Sequence, residues 1–341
     1  MYVIIIVSLL LVFLSISFLI SQKTGNPTKN SFSIIIPCRN EEDNLPQLLM
    51  SLNNLQYPDD LYEIIFIDDA SSDRTADLLT EFVRNLSNCH IIPIEQKSEE
   101  YKGKKFALKK GIEYTQCDHL LFTDADCQVP SNWIDSFNDY IAPDVGMVVG
   151  YSPEKNVSTF RRFSQILTAD FYCATIHCGL PFSANGRNLY INKDAYMQVD
   201  GFEKIKKYTC AEDKLLLNLI RKTNYKIMYN SDSKVYTNPQ ILNYANQQKR
   251  RYGQLSLSSP LYKLLSMLIF FFYIYLPIRV LIFRDWIGLA IYFSAFLLFW
   301  IAGLIRHKER FHVCDILYIL IYPYYLIYFS LLGMFGKWTW K

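Results

Sequence analysis

The stretch HLLFTDAD, residues 119–126, runs from apolar residues into two aspartates, Asp124 and Asp126, with one residue between them. The apolar part reads as a buried strand with carboxylates at its end. In a strand, residues i and i+2 face the same side, so the two charges repel unless a cation sits between them. A hard divalent ion suits oxygen ligands and shares them with substrate phosphates. A lone pair of this kind is common, and a solvated strand end or a helix cap explains it equally well.

The surroundings sharpen the reading. Upstream, FSIIIP (32–37), EIIFIDD (63–69) and CHIIPI (89–94) read as further strands. NEEDNLPQLLMSLNNL (40–55), SDRTADLLTEFVRNL (72–86) and GKKFALKKGIEYT (103–115) read as helices between them. Strand and helix alternate at the spacing of parallel βαβ units. Such sheets bind ligands at the carboxyl ends of their strands. Three of these ends are polar or acidic: Arg39 to Glu42, Asp68-Asp69, and Asp124 to Asp126. A carboxylate there can accept hydrogen bonds from a nucleobase or a ribose hydroxyl. No G-x-G-x-x-G follows the first strand and no G-x-x-x-x-G-K-[ST] occurs, which argues against a dinucleotide oxidoreductase or a P-loop NTPase.

The chain has 341 residues and is 51% hydrophobic, high for a soluble protein. The excess is concentrated. Residues 1–20, 286–305 and 316–336 carry no charge, and each is long enough for a bilayer core of about 30 Å. A fourth segment, 264–283, holds Pro277 and Arg279 and either crosses or lies partly in the interface. The first segment lacks a basic leader and a small-x-small cleavage pattern, so it reads as an uncleaved anchor, 1–22. Lys23, Lys29, Lys249, Arg250, Arg251, Lys263, Arg306, Lys308 and Arg310 fall on one side if the N-terminus is outside. That makes 21–260 cytoplasmic, in an inner cell membrane, with Lys337 and Lys341 left outside. The spans hold almost no ionisable residue besides Arg279, which argues against a transporter. The eight cysteines are scattered without a C-x-x-C pair and read as reduced and structural. The net charge of +3 gives no reason to expect a nucleic-acid partner. His177, near Cys173 and Cys178, reads as a packed or surface histidine rather than a ligand.

SIIIPCRNEEDNL, IIFIDDASSDRT, GKKFALKKGI, LLFTDADCQV, ANGRNLYINKDAYMQVDGF, AEDKLL and QQKRRYG occur in that order. This ordered set resembles a family-2 glycosyltransferase of the GT-A fold. The resemblance spans roughly 31–255, and the C-terminal membrane region is 260–336 with two or three spans. It implies an α/β, Rossmann-like mixed sheet in the cytoplasmic domain. Pro37, Arg39, Asn40 and Glu41, with Asp68 and Asp69, are implied to hold the base and ribose of a nucleotide-diphosphate sugar. Lys104 is implied to reach toward the nucleotide, while Lys102, Lys105, Lys109 and Lys110 read as surface lysines. Asp124 and Asp126 are implied to bind Mg2+ or Mn2+ on the diphosphate.

Glu212-Asp213 resembles the family's acidic pair, with Asp213 as general base. An acceptor hydroxyl is a poor nucleophile until its proton is removed, and in-line displacement then inverts the anomeric carbon. The pair also suits the first turn of a helix, and the two readings are compatible. Gln248, Arg251 and Tyr252 resemble the Gln-x-x-Arg-Trp motif, with tyrosine in place of tryptophan. There the arginine is implied to offset leaving-group charge and the ring to stack near the acceptor. Gly186 and Asn188 are implied to shape the acceptor site.

The expected function is transfer of a sugar to a lipid or lipid-linked acceptor at the membrane. A processive polysaccharide synthase shares these motifs, but only about ten residues separate Tyr252 from the next apolar segment. A non-catalytic, sugar-nucleotide-binding subunit of an envelope assembly complex is the alternative of another class. Its signature, loss of the aspartates or the base, is missing here.

Overall fold

A computed structural model describes residues 1–25, 27–84, 86–96, 98–239, 244–257 and 260–335. Lys337 and Lys341, used above for orientation, lie outside the described residues, as does Gly336 at the end of the last expected span. The chain divides into two compact units, residues 22–155 with 183–238, and residues 1–21 with 156–182 and 239–341.

The sheet unit contains strands β1 (Phe32–Cys38), β2 (Tyr62–Asp68), β3 (Cys89–Pro93), β4 (His119–Phe122), β5 (Cys127–Gln128), β6 (Val145–Tyr151), β7 (Leu189–Asn192), β8 (Lys226–Lys234) and β9 (Tyr236–Thr237). Seven of them form one sheet in the order β3-β2-β1-β4-β7-β6-β8, and β5 pairs with β9. β1, β2, β3 and β4 run parallel, with Cys38 opposite Asp68 and Ile35 opposite Phe122. β7 is antiparallel to both β4 and β6. Its first residue, Leu189, pairs with Phe122, the last of β4, so the approach to β7 lies at the edge where the parallel strands end.

Helices α2 (Leu45–Leu52), α3 (Thr75–Val83) and α4 (Lys105–Tyr114) fill the crossovers after β1, β2 and β3. The central strands are buried along nearly their whole length, as their near-continuous apolar runs require when both faces are covered. Gly111 of α4 lets helix and sheet approach closely, because a Cβ there would stand 2.8 Å from Ile35 and 2.9 Å from Ile67. The shorter helices α5 (Trp133–Asn138), α7 (Lys193–Gln198) and α8 (Glu212–Ile220) complete this unit.

Two expected elements end early. The strand expected over 119–126 stops at Phe122, so Asp124 and Asp126 lie in the turn beyond it rather than on one face of a strand. The ladder partners of β4 run out there, and the Cys127 N–H bonds the Asp124 carbonyl at 3.1 Å. The helix expected from residue 40 begins at Leu45, because Asn40 turns into left-handed backbone with φ of 52°.

The helical unit holds α1 (Tyr2–Ser17), α6 (Thr159–His177), α9 (Tyr244–Gly253), α10 (Pro260–Leu281), α11 (Trp286–Arg306) and α12 (Asp315–Phe335). Among the described residues, α10, α11 and α12 are long and apolar enough to cross a membrane. α1 has 16 residues, a rise of about 24 Å, which is less than the span expected over 1–20. Arg279 of α10 is paired with Asp285 at 2.8 Å. The domain expected over 31–255 is divided between the two units, since 156–182 and 244–255 group with the apolar helices. α6 is fixed there by Phe163 against Trp300, ring centroids 4.3 Å apart, and by Asp170 against His307 at 2.9 Å.

Candidate functional site

The carboxyl edge of the sheet unit gathers most of the expected side chains. Arg39, after β1, lies 3.9 Å from Asp69, after β2. Two neighbouring loops are stitched by short polar residues. The Asn40 N–H donates to Ser71 Oγ at 3.0 Å, the Ser72 N–H to Asn40 Oδ1 at 2.8 Å, and the Glu41 N–H to Thr75 Oγ1 at 2.8 Å. Asp68 accepts from the Ser71 N–H at 3.2 Å. Pro37 sits within β1 opposite Ile67. Side chains that bond across loops in this way hold a rim whose exposed atoms, such as the Arg39 guanidinium, remain able to meet a ligand.

A small cavity of about 20 Å³, enough for one water, lies at the end of β4. Lys104, Asp124, Gly186, Glu212 and Asp213 line it over a floor of Phe122, Leu189 and Leu216. Lys104 Nζ lies 2.5 Å from Asp124 Oδ1 and 3.4 Å from Glu212 Oε1. Asp213 Oδ2 accepts from the Gly186 N–H at 2.9 Å, and its Oδ1 from the Lys214 N–H at 2.7 Å. Glu212 and Asp213 occupy the first turn of α8, where the helix dipole favours acids. Ala211 before them has left-handed backbone, φ 63°, unusual for a residue with a Cβ.

The electrostatics separate the three aspartates. Burial pushes the Asp124 carboxyl up, but the Lys104 ammonium, helped by Arg187, more than offsets this and holds it below the ordinary value. Burial pushes Asp126 up, and the Asp124 charge adds to the shift. Burial and the neighbouring Glu212 raise Asp213 to about 6, while the Lys214 and Gly186 N–H groups and Lys104 pull the other way. Asp124 and Asp126 therefore form a repelling oxygen pair of the kind a divalent cation relieves, so the residues fit Mg2+ or Mn2+. Among the described residues, no three His, Cys, Asp or Glu side chains converge as a metal cluster. A two-carboxylate site is one that completes its shell with substrate phosphates and water.

Two expectations change. Asn188 is fully buried and its side chain is spent inside the sheet. It donates to the Tyr151 carbonyl at 2.8 Å and the Ser233 carbonyl at 3.2 Å, and accepts from Trp133 Nε1 at 2.9 Å. It braces the sheet instead of facing an acceptor. Lys105 is no surface lysine: it is fully buried, and its ammonium donates to the Tyr208 carbonyl. Gln248, Arg251 and Tyr252 sit on α9 of the helical unit. There the Tyr252 and Tyr322 hydroxyls are 3.0 Å apart, so the ring has packing partners of its own. Sequence reasoning also passed over Arg187, whose charge acts on both Asp124 and Asp126. Its position between Gly186 and Asn188 in a quoted motif was the available signal.

Residues 33–205, just over half of the chain, match the family model for glycosyl transferase family 2. The chain is similar to a beta-monoglucosyldiacylglycerol synthase of Trichormus variabilis, 33% identical over 30% of this chain and 21% of that one. It is similar to a poly-beta-1,6-N-acetyl-D-glucosamine synthase of Staphylococcus epidermidis, 29% identical over 47% of this chain and 37% of that one. The chain thus spans about a fifth to two fifths of the length of the curated relatives it matches. A mannosyltransferase of Pyrobaculum calidifontis, solved with GDP-Man and Mn2+, shares the fold with a TM-score of 0.62 at 15% identity, over 98% of this chain and 96% of that one. The sheet is of the GT-A type, and the chain belongs to glycosyl transferase family 2.

Proposed function

We propose that this protein is a membrane-anchored, inverting glycosyltransferase that moves a hexose-type sugar from a nucleotide-diphosphate donor to a lipid or lipid-linked acceptor. The observation that carries this reading is the Asp213 carboxylate, fixed by two backbone N–H groups on the wall of a cavity shared with Lys104 and Asp124. A base held in place with a pKa near 6 is matched to proton transfer near neutral pH. Asp213 takes the acceptor hydroxyl proton as the acceptor oxygen bonds to the anomeric carbon. The bond from that carbon to the diphosphate oxygen breaks on the opposite face, and the diphosphate leaves with the electron pair. Lys104 supplies positive charge beside the departing phosphates, and Arg251 does so by its place in the motif. Asp124 and Asp126 would hold the divalent ion, which supplies charge neutralisation on the diphosphate when bound. Pro37 to Glu41, Asp68 and Asp69 hold the base and ribose, and Gly186 and Tyr252 border the acceptor.

The donor class is supported by the neighbour solved with GDP-Man and Mn2+, and a lipid acceptor by the relative named for diacylglycerol. In this reading α1 is an anchor, α10 to α12 cross the membrane, and the sheet unit is cytoplasmic, which follows the basic residues flanking the spans. The longer match to a poly-N-acetylglucosamine synthase favours a second reading, processive polymer synthesis.

The test is sugar transfer by the full chain in detergent, with a panel of nucleotide sugars, Mn2+ or Mg2+ and a membrane lipid extract. A labelled lipid-soluble product, lost in Asp213→Asn and Asp126→Ala and on chelation, is the expected result. A long water-soluble polymer selects the synthase. A folded protein that turns over no donor overturns both readings in favour of a non-catalytic subunit.

A further inference from the structure

Lys104 and Lys105 are consecutive, yet they face different tasks. Lys104 lines the cavity, while Lys105 is fully buried behind it and donates to the carbonyl of Tyr208. A buried ammonium is costly unless it is bonded, and the Tyr208 carbonyl is an acceptor it meets. The segment that Lys105 holds is joined to the loop before α4 at several further points. The Lys102 N–H donates to the Lys206 carbonyl at 2.9 Å. Lys206 pairs with Glu100 at 2.7 Å, and Lys109 with Glu203 at 3.1 Å. Tyr101 bonds Glu203 through its hydroxyl. Gly103, with φ of 68°, allows the closest approach, because a Cβ there would overlap the carbonyl of Thr209. Three residues beyond Tyr208 the chain passes through left-handed Ala211 and enters α8 at Glu212 and Asp213.

We propose that Lys105 is a positioning residue: its bond to the Tyr208 carbonyl locks the 203–211 segment against the Lys104 loop and so sets the Asp213 carboxylate. The inference rests on Asp213 being the general base. The outer ion pairs end on the exposed Glu203 and Glu100 carboxylates, whereas the Lys105 bond comes from a fully buried side chain and reaches the residue three before the left-handed Ala211. Lys105 thus couples the side chain that meets the leaving group to the one that meets the acceptor, since Lys104 is its neighbour in the chain.

Lys105→Met keeps the length and apolar stem but removes the donor. In the full chain in detergent, kcat falls about 10- to 100-fold, the loss associated with a displaced catalytic group, while the donor KM stays within about twofold. The acid limb of kcat/KM also moves down by about one pH unit, as a loosened Asp213 meets more water. A variant with a lower melting temperature but unchanged kcat and an unmoved acid limb overturns the proposal, because Lys105 is then structural only. If Lys105→Met does not fold, Gly103→Ala displaces the Thr209 carbonyl from the same seam and must give the same signature; unchanged kcat there overturns the proposal equally. Asp213→Asn run in parallel separates the two levels. Turnover that survives Asp213→Asn breaks the assignment of the base, whereas turnover lost in Asp213→Asn but intact in Lys105→Met breaks only this inference.

Discussion

The two units each bury a cluster of charge, and the clusters are built on opposite principles. In the helical unit, Asp170 and His307 are fully buried and 2.9 Å apart. Gly303 leaves room for the Asp170 carboxyl where a Cβ would overlap it. Nearby Asp315 accepts from Trp300 Nε1 at 3.3 Å and from the His312 N–H at 3.0 Å, with Arg162 3.8 Å away. Packing closes around these groups. In the sheet unit, Lys104, Asp124, Glu212 and Asp213 surround a cavity and remain partly exposed, and their acids outnumber their cation. The first arrangement pairs acid with base inside the packed unit and reads as structure. The second is short of positive charge, and in the proposed reading a divalent ion supplies it while an acceptor hydroxyl meets Asp213.

The sharpest way to break that contrast is Asp213→Asn. Transfer should fall about 10³-fold, the scale of a lost general base. Relative stability should depend on pH. Folding raises the carboxyl from its ordinary 3.8 to about 6, so the folded state prefers the proton. The stability this gives is full below about pH 4 and is lost as pH rises through about 6. The variant, neutral throughout, loses one of the two backbone N–H acceptors at every pH, so the linkage shows in the difference: its stability relative to wild type should be higher at pH 7.5 than at pH 4 by on the order of 1 kcal/mol after allowance for partial exposure. Thermal melts at the two pH values decide it, and a difference from wild type that does not change with pH would contradict the raised carboxyl.

Asp170→Asn should show the reverse. Removing one partner of a buried pair costs about 3 kcal/mol, seen as a lower melting temperature in detergent. The kcat of the protein that remains folded should stay within about twofold, since packing is all that the pair provides. A large loss of kcat without loss of stability would show that this cluster, too, acts in catalysis.

The smallest effect is the most discriminating. Glu212 raises the Asp213 carboxyl and Lys104 lowers it. The acid limb of kcat/KM should therefore move down in Glu212→Gln and up in Lys104→Met, each by less than about one pH unit. Both variants will be slower, but only a base at Asp213 makes the limbs part in opposite directions.

The parallel half of the sheet was legible because its strands are short, apolar and separated by helices of ordinary length, so period and punctuation agree from Phe32 to Phe122. The acidic ends of β1 and β2 were legible for the same reason. The end of β4 was not: Thr123 to Asp126 continue the alternation, and only the exhaustion of ladder partners on β1 and β7 stops the strand at Phe122. Lys105 was misread because helical periodicity places a lysine on a face without revealing that another segment covers it. Asn188 was misread because a polar residue in a motif looks the same whether it meets a ligand or three partners in the core. Lys104, Glu212 and Asp213 were found through the order of motifs, since residues more than a hundred positions apart share no local pattern.

The division of the chain has a consequence for its synthesis. α6 leaves the ribosome long before Trp300, His307 and Tyr322, the residues that cover Phe163, Asp170 and Ser164. For the time needed to translate well over a hundred further residues, this amphipathic segment waits with a carboxylate and several rings uncovered. A growing chain is vulnerable to proteases and to wrong pairing during that interval. Cutting out residues 22–238 as a soluble piece would make the interval permanent, with α6 retained and its covering helices discarded.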